Sequence, residues 1–82
     1  MAREVEFTEA ALKDLERLAA RDAEAVLDAI VDFARTGRGD VKKLRGLEGH
    51  YRLRCGKWRA VFTETGRILR ILRVRDRKEA YR

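Results

Sequence analysis

The stretch YRLRCGKWRA, residues 51–60, gathers Arg52, Arg54, Lys57 and Arg59 in one short segment. Side chains alternate between the two faces of a strand, so Arg52 and Arg54 project from one side while Tyr51, Leu53 and Cys55 share the other. Two residues of strand rise separate the arginines by about 7 Å, close to the spacing of adjacent phosphates, so the pair can grip a nucleic-acid backbone. With Gly56 as a turn, Arg59 falls across the hairpin from this pair and Lys57 adds a cation at the tip. Like charges set side by side repel. Folding alone gives no reason to collect them, so an anionic partner is expected.

Charge along the whole chain points the same way. Of 82 residues, 20 are Lys or Arg and 14 are Asp or Glu, a formal net charge of +6. Residues 1–40 hold 6 basic and 10 acidic side chains, a balance of −4, whereas residues 41–82 hold 14 and 4, a balance of +10. So lopsided a field attracts polyanions and offers a docking surface to an acidic partner protein. Other chemistries lack their residues. Cys55 is the single cysteine and His50 the single histidine, which leaves no disulfide and no set of zinc ligands; neither metal nor organic cofactor is expected. The apolar runs are far too short to span a bilayer or serve as a signal peptide, which predicts a soluble cytoplasmic protein with no membrane partner.

Helices and strands must position these groups. REVEF (3–7) alternates charged and apolar positions and leads into Thr8, a good N-cap, so a short strand runs directly into a helix. From Glu9 to Ala20, Ala11, Leu12, Leu15, Leu18 and Ala19 recur at helical spacing, with Lys13, Asp14, Glu16 and Arg17 off the stripe. Asp22 is the expected cap of a second helix, whose Val26, Leu27, Ile30, Val31 and Ala34 form another stripe ended by Thr36 and Gly37. GRGD (37–40) reads as a loop and VKKLRGLEG (41–49) as a basic connector carrying Lys42, Lys43 and Arg45. Three strands follow, His50 to Cys55, Lys57 or Trp58 to Glu64, and Arg67 to Arg75, with turns at Gly56 and at ETG (64–66). In the last of them Ile68, Leu72 and Val74 are expected to face the core, Arg70 to lie on that side near an edge, and Arg73 and Arg75 to point away.

This order predicts one α+β domain over residues 1–82. An N-terminal strand and a two-helix hairpin pack on one face of a twisted, mainly antiparallel four-stranded sheet, whose other face is free. With the helices over Tyr51 and Leu53, Arg52 and Arg54 stand on the free face. Three nearby residues have plainer expectations. His50 is an exposed or loop-packed histidine, Trp58 aligns with Ala60 and Phe62 at the core edge, and Cys55 is a small buried residue rather than a nucleophile.

The helix hairpin followed by VKKLRGLEGHYRLRCGKWRAVF, an aliphatic strand and VRDRKEAYR resembles, over essentially the whole chain, the RelE/ParE superfamily of toxins from type II toxin–antitoxin pairs. The resemblance implies the fold just outlined and one of two activities. RelE-type members are ribosome-dependent endoribonucleases, or mRNA interferases, which cut messenger RNA in the A site and so inhibit translation; ParE-type members share the fold and poison DNA gyrase. RelE-type sites use two basic residues on one strand, an arginine on the next, an arginine after the last strand and a tyrosine near it. Arg52, Arg54, Arg59, Arg77 and Tyr81 hold the matching positions. The implied reaction is attack of a ribose 2′-hydroxyl on the adjacent phosphate, with cations stabilising the charge that builds on the non-bridging oxygens. On this reading Arg54, Arg59, Arg77 and Tyr81 are catalytic, Arg59 and Arg77 being the main charge stabilisers. Arg52, Lys57, Lys42, Lys43, Arg45, Arg73 and Arg75 hold RNA.

One departure bears on the mechanism. Many relatives carry lysine where this chain has Arg52 and Arg54, and arginine stays protonated, which makes it a poor general base. The 2′-hydroxyl proton then leaves through Lys57, through Tyr81, or to the ribosome. Tyr81 has other roles open to it, stacking on a base of single-stranded RNA or packing the C-terminal tail. The implied partners are a cognate antitoxin and the ribosome with its messenger RNA. The antitoxin would lay an amphipathic segment on the toxin, with acidic residues near Arg52, Arg54 or Arg77. DNA gyrase is the partner on the ParE-type alternative, and a decayed toxin that only binds its antitoxin is a third reading.

Overall fold

The computed structural model describes residues 2–77. Along the chain come β1 (Glu4–Phe7), α1 (Glu9–Glu16), α2 (Ala20–Thr36), β2 (Val41–Lys43), β3 (His50–Cys55), β4 (Trp58–Thr65) and β5 (Ile68–Asp76). The strands form one sheet in the order β1-β5-β4-β3-β2, with β1 parallel to β5 and the other pairs antiparallel. The α+β class is the predicted one, but the sheet has five strands rather than four. The additional strand, β2, lies in the segment read as a connector. VKK is too short to show alternation, and its strand state comes from pairing: Val41 with Leu53, Lys42 with Arg52 and Lys43 with Tyr51.

Thr8 caps α1 as its type predicts. Its Oγ1 accepts from the Ala11 N–H at 3.1 Å and donates to the Leu72 carbonyl at 2.8 Å, while its own N–H reaches the Ile71 carbonyl at 3.0 Å. One residue therefore starts the helix and ties it to β5. α1 stops at Glu16, short of the predicted end, and α2 begins at Ala20 with no side-chain cap. Asp22, the expected cap, sits inside the first turn instead, where its charge still complements the helix dipole. α2 ends where predicted: Gly37 adopts a φ of 75°, a conformation free of steric penalty for glycine, and its N–H returns to the Phe33 carbonyl at 2.8 Å.

Ala11, Val26, Ile30, Phe33 and Ala34 of the helices pack with Leu53, Cys55, Ala60, Phe62, Leu69, Ile71 and Val74 of the sheet in one apolar cluster. Phe62 is its centre, tilted against Phe33 at 5.5 Å between centroids and stacked with Tyr51 at 5.6 Å. In β5 the residues buried in the core are Leu69, Ile71 and Val74, not the expected Ile68, Leu72 and Val74. A bulge is the cause. Phe62 pairs with Ile71 but Val61 pairs with Arg73, so Leu72 is an extra residue and the alternation shifts at that point. Arg70, expected on the core side, is exposed and shares the free face with its register neighbours Glu6 and Thr63.

Close packing continues into the loop before β2. A methyl group at Gly39 would stand 2.8 Å from Leu53 Cδ1 and 3.4 Å from Phe33 Cδ1. Gly39→Ala is therefore expected to lower stability by about 1 kcal/mol as Leu53 gives way, read as a lower midpoint in urea unfolding with an unchanged slope. Among the described residues no helix is long and apolar enough to cross a membrane.

Candidate functional site

Register across the sheet sorts the basic residues into rows. Arg54, Arg59 and Arg75 stand abreast on β3, β4 and β5, and the next row on the same side runs Lys42, Arg52, Val61, Arg73. Leu53, Ala60 and Val74, the row between them, belong to the core under the helices, so both basic rows lie on the opposite face. Past β5, the Arg77 N–H donates to the Lys57 carbonyl at 2.8 Å and seats that residue beside the β3–β4 turn. One end of that face thus collects Arg54, Lys57, Arg59, Arg75 and Arg77.

Depth separates these cations. Arg54, Lys57 and Arg77 are exposed. The nearest acid to Arg54 is Asp40 at 3.9 Å, a pair with side chains 53% and 50% exposed and too solvated to hold the guanidinium. The Lys57 ammonium lies 5.2 Å from the centroid of the Trp58 ring, a cation–π contact that leaves its other side open. Arg52 and Arg59, by contrast, are only 8% and 3% exposed. This corrects the expectation that both present their guanidinium groups on the open face. Arg59 Nη1 donates to the carbonyls of Gly56 at 3.0 Å and Trp58 at 3.1 Å, and its Nε is buried with no hydrogen-bond partner among the described residues.

Other predicted RNA-binding residues lie elsewhere. Arg73 is committed to Asp14 of α1, to which its Nε and Nη2 donate at 2.8 and 3.1 Å. Lys43 shares the parity of Val41 and Tyr51 and so falls on the helix side, away from Lys42, while Arg45 is in the exposed loop after β2. At the far edge of that face stand Glu4 and Glu6, both exposed, on the strand farthest from Lys42 and Arg54. Tyr81 lies outside the described residues.

A sequence model of the family described as "ParE toxin of type II toxin-antitoxin system, parDE" matches residues 5–81. The chain belongs to that ParE toxin family. No sequence among curated proteins matches it significantly. Solved structures similar to this toxin include the toxin–antitoxin complex RelBE2 of Mycobacterium tuberculosis, 32% identical over 94% of this chain and 100% of that one, with a TM-score of 0.82. Another is an arginine mutant of E. coli RelE in the free state, 25% identical over 99% and 90%, TM-score 0.79. The RelB–RelE complex of Methanococcus jannaschii, 24% identical over 93% and 94% with a TM-score of 0.75, is similar in fold.

Within the toxin, Asp14 has a role that sequence reading missed. Placed off the apolar stripe of α1, it is nevertheless buried, and its carboxylate accepts the Val74 N–H at 2.9 Å as well as the Arg73 guanidinium. β1 covers β5 only from Ile68 to Ile71, so the strand edge is open beyond that point and Asp14 supplies the missing acceptor. Burial by itself raises the pKa of Asp14. The hydrogen bonds from Arg73 and Val74, with the positive charges of Arg73 and Arg75, outweigh burial and hold it below the ordinary 3.8. Nothing in ALKDLERL signals this, because the partners arrive sixty residues later in the chain.

Cys55 behaves as a core residue. Burial pushes its thiol up to about 11, and Sγ lies 3.6 Å from the Leu53 carbonyl. Native toxin is expected to resist alkylation by iodoacetamide at neutral pH and to react once unfolded; rapid labelling of the folded chain would contradict this. His50 sits 3.1 Å from the Glu48 carbonyl through Nδ1, and Trp58 packs against the core edge, both as their surroundings in the sequence predict. No group of three or more His, Cys, Asp or Glu among the described residues is placed to hold a metal ion.

Proposed function

We propose that this toxin is a ribosome-dependent endoribonuclease that cuts messenger RNA in the A site and is held inactive by a cognate antitoxin. The observation that carries the proposal is the cluster of exposed Arg54, Lys57 and Arg77 at one end of the face opposite the helices, in which Arg54 and Arg77 hold positions that match a RelE-type site. Arg54 and Arg77 meet the non-bridging oxygens of the scissile phosphate, where arginine's fork can bond two oxygens at once. Arg75 and Lys42 hold the flanking backbone. As the 2′-oxygen bonds to phosphorus, the bond to the 5′-oxygen breaks, the 2′ proton departs and the 5′-oxygen gains one. Lys57 brings an amine to the cluster, and with Tyr81 it is the toxin's own candidate for that proton traffic. The similarity to structures solved as antitoxin–toxin complexes supports an antitoxin that covers the basic face.

A gyrase poison of the ParE type is the second reading. The matching family description favours it, as does arginine rather than lysine at positions 52 and 54. Two assays on one preparation of folded toxin separate the readings. Purified ribosomes translating a defined message, mapped by primer extension, should show cuts in the A-site codon, while gyrase supercoiling should proceed unhindered. Intact message with blocked supercoiling would replace the first reading by the second, and no effect in either assay would leave a decayed, antitoxin-binding toxin.

A further inference from the structure

We infer that Arg59 is a positioning residue, a buried brace that fixes the β3–β4 turn so that Lys57 and Arg77 meet the RNA, and that it does not itself contact the phosphate. The functional half of this inference rests on the endonuclease reading; the structural half stands without it. At 3% exposure Arg59 offers almost no surface, and its Nε is fully shielded, so no phosphate oxygen reaches it unless the surrounding structure moves.

What the side chain does instead is visible at the turn. Gly56 has a φ of 64° and among the described residues no non-glycine has a positive φ, so Gly56 and Lys57 have the sign pattern of a type II′ turn. The bonds from Nη1 to the Gly56 and Trp58 carbonyls, on either side of Lys57, clamp that turn from inside. The Lys57 carbonyl between them holds the Arg77 N–H. Brace, turn, Lys57 and Arg77 are thus joined in one hydrogen-bonded series.

Electrostatics explains why the middle arginine is the one withdrawn. In the row Arg54, Arg59, Arg75, strands about 4.8 Å apart would set three guanidinium groups side by side, an arrangement like charges oppose. Turning the central group onto two carbonyl oxygens gives it partners of opposite partial charge. It also leaves Arg54 as the exposed arginine of the row. A buried charge with one donor unmatched is destabilising in isolation. Its retention here is explained by the geometry that it imposes on the turn.

The first test uses the unsubstituted full-length toxin. Limited reaction with phenylglyoxal, mapped by peptide mass spectrometry, should modify Arg54 and Arg77 and spare Arg59 until the chain is unfolded in denaturant. Native-state modification of Arg59 at the rate of Arg54 would overturn the inference. The second test is single-turnover cleavage on ribosomes. Arg59→Met should slow the cut by about 10²-fold, the scale of a misplaced reacting group, with the end-point amplitude unchanged. In a Lys57→Ala/Arg77→Ala background the same change should cost less than about threefold more, because its effect passes through those two residues. Losses that multiply would make Arg59 an independent phosphate ligand, and lower amplitude at an unchanged rate would make it a stability residue only; either result overturns the inference. Should the unsubstituted toxin leave the message intact, the endonuclease reading fails, and the modification map still decides where Arg59 lies.

Discussion

Arg54→Ala or Arg77→Ala is expected to slow A-site cleavage by about 10²-fold or more, roughly 3 kcal/mol of transition-state stabilisation, while the chain stays folded. Both residues are exposed, and the one acid near Arg54 is a loose, half-solvated partner, so neither change removes a contact the core depends on. On the endonuclease reading, what each removes is a cation aimed at a phosphate whose negative charge grows as the reaction proceeds. Such a contact is stronger in the transition state than in the ground state, so it lowers the barrier rather than merely tightening binding. Arg70→Ala is the matched control: it deletes another exposed arginine of the same face, in register with Glu6 and distant from the turn. Single-turnover rates on ribosomes, with folding checked by circular dichroism, are the measurement. Arg54 and Arg77 variants that cut as fast as the Arg70 variant would remove the basis for placing chemistry at this end of the sheet.

The largest expected effect on stability comes from Asp14. Asp14→Ala strips the acceptor from the buried Val74 N–H and the counter-charge from Arg73. The side chain of Arg73 is 38% exposed, so its share is screened by solvent, and most of the loss is the orphaned N–H. Together these amount to about 2–3 kcal/mol, or about 10–20 °C in Tm for a chain of this size. Asp14→Asn keeps an oxygen for Val74 and removes only the charge, with an expected loss of about 1 kcal/mol.

The sign of the pH effect follows from the depressed pKa. A carboxylate held below its unfolded value binds fewer protons folded than unfolded, so its contribution is complete above about 3.8 and disappears as the pH falls below that through the folded value. Urea unfolding at a series of acid pH values should show this loss in the unsubstituted toxin and its absence in the Asn variant. Equal stability of the Ala variant and the unsubstituted chain would show that water serves the β5 edge as well as Asp14 does.

Local pattern carried much of the fold. The apolar stripes of both helices, the Thr8 cap, the Gly37 stop and the Gly56 turn each rest on residues close together in the chain, and both helices and the hairpin form there, although α1 ends early at Glu16, α2 begins at Ala20, and Leu12, Leu27 and Val31 of the stripes are exposed. Features that depend on pairing were not legible. β2 exists because β3 lies beside it, and the extra residue at Leu72 is defined only against β4. The site divides in the same way. Alternation places Arg52, Arg54 and Arg59 on the face opposite the helices, but alternation specifies a side and not a depth, so the burial of Arg52 and Arg59 was hidden. Asp14 was misread for a related reason: helical spacing ranks a residue against its own helix and takes no account of an unpaired strand edge nearby.

The parallel pairing of β1 with β5 also bears on how the protein is born. Residues 4–7 leave the ribosome well before residues 68–71, which are their one strand neighbour among the described residues, with everything between them looped out. Closing so long a loop is slow, and the core strands β4 and β5 cannot assemble before the latter emerges. Until that moment the nascent chain has no finished sheet, and the row that sets Arg54, Arg59 and Arg75 side by side does not exist.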